Sequence, residues 1–288
     1  MLHTQPLQVQ PRPAVAPSAE DVAGLAAWAR RLTGITLRDR KAEFLSARLG
    51  KRLAAHGLAD WGAYRRILAE DPVEQVAFSE ALTTHTTSFF REKAQYDWLL
   101  EEGFPALLGA SAGRRREIAI WSAACSTGQE GWTALMVAEQ ARLRGQTGLE
   151  ARLIGTDLSR PVLRTAAQAI YPEAQIEGIP TALRPRVLLS SKVGERRYRI
   201  VPELRRRATW RQVNLASGDG LDGISADVVF LRNVLIYFDH EVRKTVIDNV
   251  FRRLNPGGFL LVGHTEAGHV RRDGLDSVRP SILRKGAV

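Results

Sequence analysis

Hydrophobic and polar positions change rhythm once along this chain, near residue 83. From Glu20 to about Glu80 apolar residues recur in short amphipathic runs, separated by Gly34, Gly57 and Asp71-Pro72, which predicts a set of helices and no strand. In the second run Ala42, Leu45, Leu49 and Leu53 share one face at i, i+3, i+4 spacing. The segment Thr83-Thr84-His85-Thr86-Thr87-Ser88 interrupts that pattern and reads as a link between two domains. Beyond it, short apolar runs alternate with helical stretches. Strands are predicted at Glu117–Ser122, Arg152–Gly155, Asp227–Leu231 and Phe259–Gly263. Helices are predicted at Glu130–Arg144, Pro161–Ile170 and from His240 to Leu254, with a turn at Pro256-Gly257-Gly258.

This β-α-β-α order predicts an α/β fold, a mostly parallel sheet with helices on both faces. Residues 173–212 fit it poorly: arginines cluster there, a hairpin is conceivable around Val193-Gly194-Glu195, and the stretch reads as an insertion. Residues 1–19, rich in Pro, Gln and Ala, read as a disordered lead-in.

Composition narrows the function classes. Hydrophobic residues form 44% of the 288, enough for a sizeable core, and no apolar run of membrane-spanning length occurs. The N-terminus has no basic start followed by an apolar run, so no secretory signal is expected. The single cysteine, Cys125, forms no internal disulfide and fits a reducing cytoplasm. The six histidines lack metal-ligand spacing, so no metal is expected. The formal charge of +10 suits an anionic partner, whether nucleic acid, membrane surface or acidic protein. It is concentrated in patches: residues 38–52 hold six basic and two acidic side chains, residues 195–211 seven and two.

In open α/β sheets ligands bind at the carboxyl ends of the strands, near a switch in strand order. The turn Cys125-Ser126-Thr127-Gly128-Gln129-Glu130 after the first strand lets a ligand approach backbone N–H groups, although it is not G-x-G-x-x-G. Asp157, ending the second strand, is placed either to hold ribose hydroxyls or to cap the next helix. The turn before it favours the ribose. Arg232-Asn233 marks either an exit to solvent or a cavity wall. Cys125 reads as a packing residue, His264 as a local hydrogen-bonding group, and the six tryptophans as core or interface.

Taken together, LTTHTTSFFRE (82–92), WSAACSTGQEGWT (121–133), IGTDLS (154–159), VNL (213–215), FLRNVLIYF (230–238) and LNPGGFLLVGHTE (254–266) resemble the CheR family, the S-adenosylmethionine-dependent protein-glutamate O-methyltransferases of chemotaxis receptors. The resemblance implies a small all-helical N-terminal domain (20–80) and a linker contributing to the cofactor site (81–92). It also implies a Rossmann-like methyltransferase domain (93–288) with a small antiparallel β-subdomain at 173–212. By motif match, cofactor contacts fall to His85, Thr87, Arg91, Glu130, Asp157, Asn214, Leu215, Arg232 and Asn233. Two departures stand out: His85 replaces the family's common Asn, and Gln129-Glu130-Gly131-Trp132 replaces Glu-Glu-Pro-Tyr.

The implied reaction moves a methyl group from S-adenosylmethionine to a glutamate of a chemoreceptor's cytoplasmic helices, leaving S-adenosyl-L-homocysteine. A glutamate with a pKa near 4.3 is already a nucleophile at neutral pH, so no base is needed. Alignment and desolvation suffice. Arg91 is the expected cation for a carboxylate, the cofactor's or the substrate's, and Tyr237 the aromatic near the methyl group, with a core tyrosine as its alternative. Lys41, Arg48, Lys51 and Arg52 cluster on one helix face, which is either a solvated surface or a basic stripe that steers acidic receptor helices. Arg48, Lys51 and Arg52 are thus candidate substrate contacts. A monomer is expected. The competing readings are a nucleic-acid methyltransferase, which has the charge but no N-P-P-Y or Pro-Cys motif, and a cofactor-binding regulator without catalysis.

Overall fold

The computed structural model describes residues 16–37, 41–109, 116–191 and 194–286. Most of the predicted lead-in, Arg38 and Arg40 of the first basic patch, and Val193 of the conceivable hairpin lie outside them. The chain divides into two compact units after Thr83.

Among its described residues the first unit has four helices: α1 (Ala19–Thr33), α2 (Lys41–Ala55), α3 (Trp61–Glu70) and α4 (Pro72–Leu82). Their ends follow the capping signals. Ser18 and Asp21 form a reciprocal capping box on α1, Asp60 accepts from the N–H groups of Gly62 and Ala63, and Asp71 caps α4 with Pro72 behind it. Leu45, Leu49 and Leu53 pack with Leu25, Tyr64 and Phe78 in the core, as the helical spacing predicts. One charge is buried with them. Glu74, 2% exposed, accepts from Arg52, from His56 Nε2 at 2.8 Å and from the Tyr64 hydroxyl at 2.6 Å.

The second unit opens with α5 (Lys93–Trp98), a π-helical turn (Leu99–Gly103) and α6 (Phe104–Gly109), none of them anticipated. Its main sheet contains β1 (Arg116–Ala123), β2 (Leu149–Asp157), β6 (Ala208–Gln212), β7 (Ala226–Leu231), β8 (Leu254–Val262), β9 (Leu275–Arg279) and β10 (Ile282–Lys285). The order is β6-β2-β1-β7-β8-β10-β9, parallel up to β8 and antiparallel through β10 and β9. Strand order therefore reverses between β1 and β7. Alternate residues serve two cores: Ile118, Ile120, Val228 and Phe230 join α7 (Gln129–Leu143) on one face, and Ala119, Trp121, Val229 and Leu231 join α11 (His240–Arg253) on the other. Four of the six tryptophans, Trp61, Trp98, Trp121 and Trp132, are buried.

Boundaries shift in three places. A small antiparallel sheet, β3 (Ile170–Pro172), β5 (Arg197–Ile200) and β4 (Leu188–Ser190), begins just ahead of the expected insertion and continues into it, with α9 (Arg184–Val187) between its strands and α10 (Pro202–Arg205) after it. Residues 208–212, assigned to that insertion, are instead β6, the edge strand of the main sheet, pairing Leu153 with Ala208. An edge strand needs no apolar face, so its polar sequence concealed it. Helix α8 (Arg160–Gln168) stops before Ile170 because Ala169 turns left-handed at φ 55°. β8 begins at Leu254, directly after α11, and carries Pro256-Gly257-Gly258 within it.

Candidate active site

The carboxyl edge of the sheet is where the backbone is most contorted. Among the described residues Phe90, Glu92, Ala124, Ser126 and Asn233 adopt positive φ (52–66°) without being glycine. Each such residue costs on the order of 1–3 kcal/mol and persists only where its surroundings over-determine it. After β1 the determinants are explicit. Cys125 N donates to Thr156 O at 2.8 Å, Ser126 N to Asp157 Oδ2 at 2.9 Å, and Ser126 Oγ to the His85 carbonyl at 3.0 Å. Tyr171 donates its hydroxyl to Thr127 O at 2.7 Å.

Asp157 meets the start of the next helix, as its capping alternative has it, and also braces the turn after β1. Its Oδ1 accepts from the Ser159 N–H at the start of α8, and its Oδ2 fixes the turn after β1. The carboxylate is 8% exposed, and burial raises its pKa against the opposing pull of those N–H groups. Cys125 is buried in the turn and its thiol is pushed well up by burial, as befits a packing residue.

Arg232, at the end of β7, lies beneath this edge. Its side chain is 1% exposed. It donates to the Tyr96 hydroxyl at 3.1 Å and to Arg91 O at 2.5 Å, and lies 3.4 Å from Glu92 and 3.5 Å from Glu130. Glu130 also accepts from Ser122 Oγ at 2.6 Å; burial raises its pKa, and Arg232 and Ser122 only partly offset that. Burial alone would lower the pKa of Arg232, but the two carboxylates and Tyr96 hold it above its ordinary value. Of the Arg232-Asn233 pair, Asn233 lines a cavity, whereas Arg232 is closed off from solvent. It cross-links two acids under the site. Glu92 Oε2 is left buried without a hydrogen-bond partner among the described residues.

A cavity of about 340 Å³ opens above it, within the size range of small-molecule sites. Thr84, Thr86, Arg91 and Glu92 line it from the Thr-rich segment, Asn233, Ile236 and Tyr237 from the loop after β7, and His264 and Thr265 from the loop after β8. Arg91 is tethered by its Nη1–H to Thr86 O at 3.1 Å. Buried Glu266 ties the two loops, accepting from Asn233 N at 2.6 Å, Gly263 N at 3.0 Å and Ile236 N at 3.3 Å. A Cβ at position 263 would run into that carboxylate, so glycine is required there. Tyr237 is half-buried on the cavity wall, not a core residue.

The other expected site residues fall into place differently. Thr87 is half-buried in the same segment as Thr84 and Thr86. Asn214 accepts with its Oδ1 from Ala216 N and Ser217 N at 3.0 and 3.3 Å, shaping its own loop, and Leu215 sits in the core. Arg52, a candidate substrate contact, turns its guanidinium onto buried Glu74, with Nε 2.9 Å from Oε1. Lys51 is exposed, and Arg48 donates to Thr83 O at 3.4 Å. Sequence reasoning missed Thr84, Thr86, Glu92, Ile236, Thr265 and Glu266, although all six stand inside the quoted motifs. His264, read as a local hydrogen-bonding group, does reach Ser281 Oγ at 3.5 Å and also lines the cavity, 3.8 Å from Glu92.

Among the described residues no cluster of potential ligands could hold a metal, and no helix is long and apolar enough to cross a membrane. An adenosyl sulfonium fits the remaining groups: an acid at the end of β2, a tight turn after β1, and the Glu92 carboxylate on the cavity lining.

Comparisons with known proteins reach both units of the chain. The chain matches the family model "CheR methyltransferase, all-alpha domain" over residues 20–83 and "CheR methyltransferase, SAM binding domain" over residues 85–278. It is 34% identical over 237 residues to chemotaxis protein methyltransferase 2 of Pseudomonas aeruginosa, covering 82% of each chain. It is 27% identical over 255 residues to the chemotaxis protein methyltransferase of Borreliella burgdorferi, covering 88% of this chain and 89% of that one. With the Salmonella typhimurium enzyme of the same name it shares 31% identity over 236 residues, 81% of this chain and 78% of that one. The chain belongs to the CheR methyltransferase family and is an S-adenosylmethionine-dependent methyltransferase.

Proposed function

We propose that this chain esterifies glutamate side chains on the cytoplasmic helices of a methyl-accepting chemoreceptor, acting as a monomer in the cytoplasm. One observation carries the reading: Arg91 and Tyr237, distant in sequence, line one cavity above a buried acid pair. S-adenosylmethionine supplies the electrophilic methyl group. The chain supplies alignment and desolvation, which together are worth about 7–11 kcal/mol when reactants are well oriented. Arg91 offers a fixed cation to the incoming carboxylate, and Tyr237 an aromatic wall that keeps water from the transfer. Asp157 holds the ribose hydroxyls, while Glu92 and Glu130 face the cofactor's positive charge. His85, Thr87 and Asn233 frame the cofactor through the segments they belong to, and Asn214 and Leu215 through their loop. Lys51 and Arg48 attract the acidic receptor helix.

The test is transfer of tritiated methyl from S-adenosylmethionine in the presence of receptor fragment and nucleic acid. Base-labile label on the receptor is the expected result. Label on nucleic acid would overturn the reading in favour of a nucleic-acid substrate, and cofactor binding without transfer would make the chain a regulator.

A further inference from the structure

A second cavity, of about 660 Å³, opens between α11 and the chain after β8. His240, Arg243 and Lys244 line it from the helix, and His269, Arg271 and Arg272 from the other side. Asp248 and Asp273 are the only acids on its wall, and Asp248 is engaged by Arg272 Nε at 2.6 Å. Arg243 donates to Phe238 O at 3.1 Å and keeps its Nε buried without a partner. Lys244 and Arg271 are exposed and form no ion pair among the described residues. Four full cations against two acids leave the cleft positive.

The cleft is built on the same two segments as the catalytic cavity. Tyr237 lines one and His240 the other; Thr265 lines one and His269 the other. At no more than about 3.6 Å per residue, the two linings stand within about 15 Å of each other. On a helix, residues seven apart share a face and are separated by about 10.5 Å. Ile236, 46% exposed, offers an apolar step beside the catalytic mouth.

We propose that this cleft takes the carboxylate of a second glutamate, two helical turns from the one being methylated. The inference rests on the glutamate-methylation reading. A single carboxylate suits a wall that also bears Asp248 and Asp273 better than the adjoining charges of a diphosphate do. Esterification removes a glutamate's charge, so each completed transfer weakens the cleft's hold on the neighbouring site. The enzyme thereby prefers receptor helices that are still acidic.

The experiment compares receptor fragments carrying one acceptor glutamate with Glu or Gln seven residues to either side. Wild type is expected to show a KM about fivefold lower for the Glu fragment on one side, the upper end for an exposed ion pair. In K244E/R271E that preference disappears, while kcat and S-adenosylmethionine affinity stay as in wild type. Equal KM values in wild type, or an unchanged preference in the double variant, would overturn the proposal. So would pyrophosphate competing with the Glu fragment for wild type at micromolar concentration without affecting the Gln fragment, since the cleft would then be a phosphate site. If wild type esterifies neither fragment, the glutamate reading itself fails and this inference falls with it.

Discussion

Arg232 keeps a full charge where almost none of its side chain meets water, which is tolerable only because Glu92 and Glu130 flank it. Arg232→Met is expected to leave the two carboxylates uncompensated and to cost about 3–5 kcal/mol, read as a fall in melting temperature. Adding Glu130→Gln to that variant should restore part of the loss. An unchanged melting temperature in the single variant would show that the cluster contributes nothing to stability. Asp157→Ala should weaken S-adenosylmethionine binding at least tenfold by calorimetry, a hydrogen bond to a charged group being worth roughly 1.5–3 kcal/mol. It should also lower stability, because Ser126 N and Ser159 N lose their acceptor. These two residues also mark the limit of what the sequence could say. Their positions at strand ends were legible, since strand runs and small-residue turns are local signals. Their partners were not. Glu92, Glu130 and Tyr96 come to Arg232 from remote segments, and no local pattern encodes that meeting.

The helices and strands show the same division by element. Amphipathic runs and the breaks at Gly34, Gly57 and Asp71-Pro72 marked the helical unit in advance, whereas β6, β9 and β10 escaped because edge and near-edge strands are weakly patterned. The linker's fate was half-visible: a Thr-rich break is obvious, but its left-handed residues Phe90 and Glu92 sit among remote partners, with Phe90 N donating to Thr133 Oγ1 at 3.2 Å and Arg232 donating to the Arg91 carbonyl. Within the helical unit, burial would raise the Glu74 carboxyl, yet Arg52, Tyr64 and His56 hold it at about 2. Its folded pKa therefore lies below the unfolded value of about 4.3, so the stability it provides is present above that pH and is lost as pH falls toward 2. The gap corresponds to on the order of 3 kcal/mol. Melting of the full chain against Glu74→Gln should show a clear difference at about pH 6 that narrows by about pH 3. A difference independent of pH would mean that packing, not charge, makes Glu74 important.

Across the whole molecule, the formal charge of +10 is less available than its sum suggests. The densest basic stretch, residues 195–211, is engaged close by: Arg196 with Glu173, Arg197 with Glu195, Arg206 with Glu203, Arg207 with Glu139, and Arg199, Arg205 and Arg211 with backbone carbonyls. Arg52 is likewise held by Glu74. In the proposed function, attraction of an acidic receptor helix falls to exposed side chains, among them Lys51 on α2, with Arg48 beside it on the same face. Steering of this kind raises association rates and decays over a Debye length of about 8 Å at physiological salt. Arg48→Glu with Lys51→Glu should therefore lower kcat/KM for receptor by about tenfold or more at low salt, through the association rate, and leave S-adenosylmethionine affinity unchanged. Added salt should reduce the wild-type rate toward that of the variant, because it screens the same field. Because Arg48 also binds Thr83 O, melting curves must accompany the kinetics. A variant that folds normally and methylates receptor at the wild-type rate in low salt would make this face of α2 a solvated surface and nothing more.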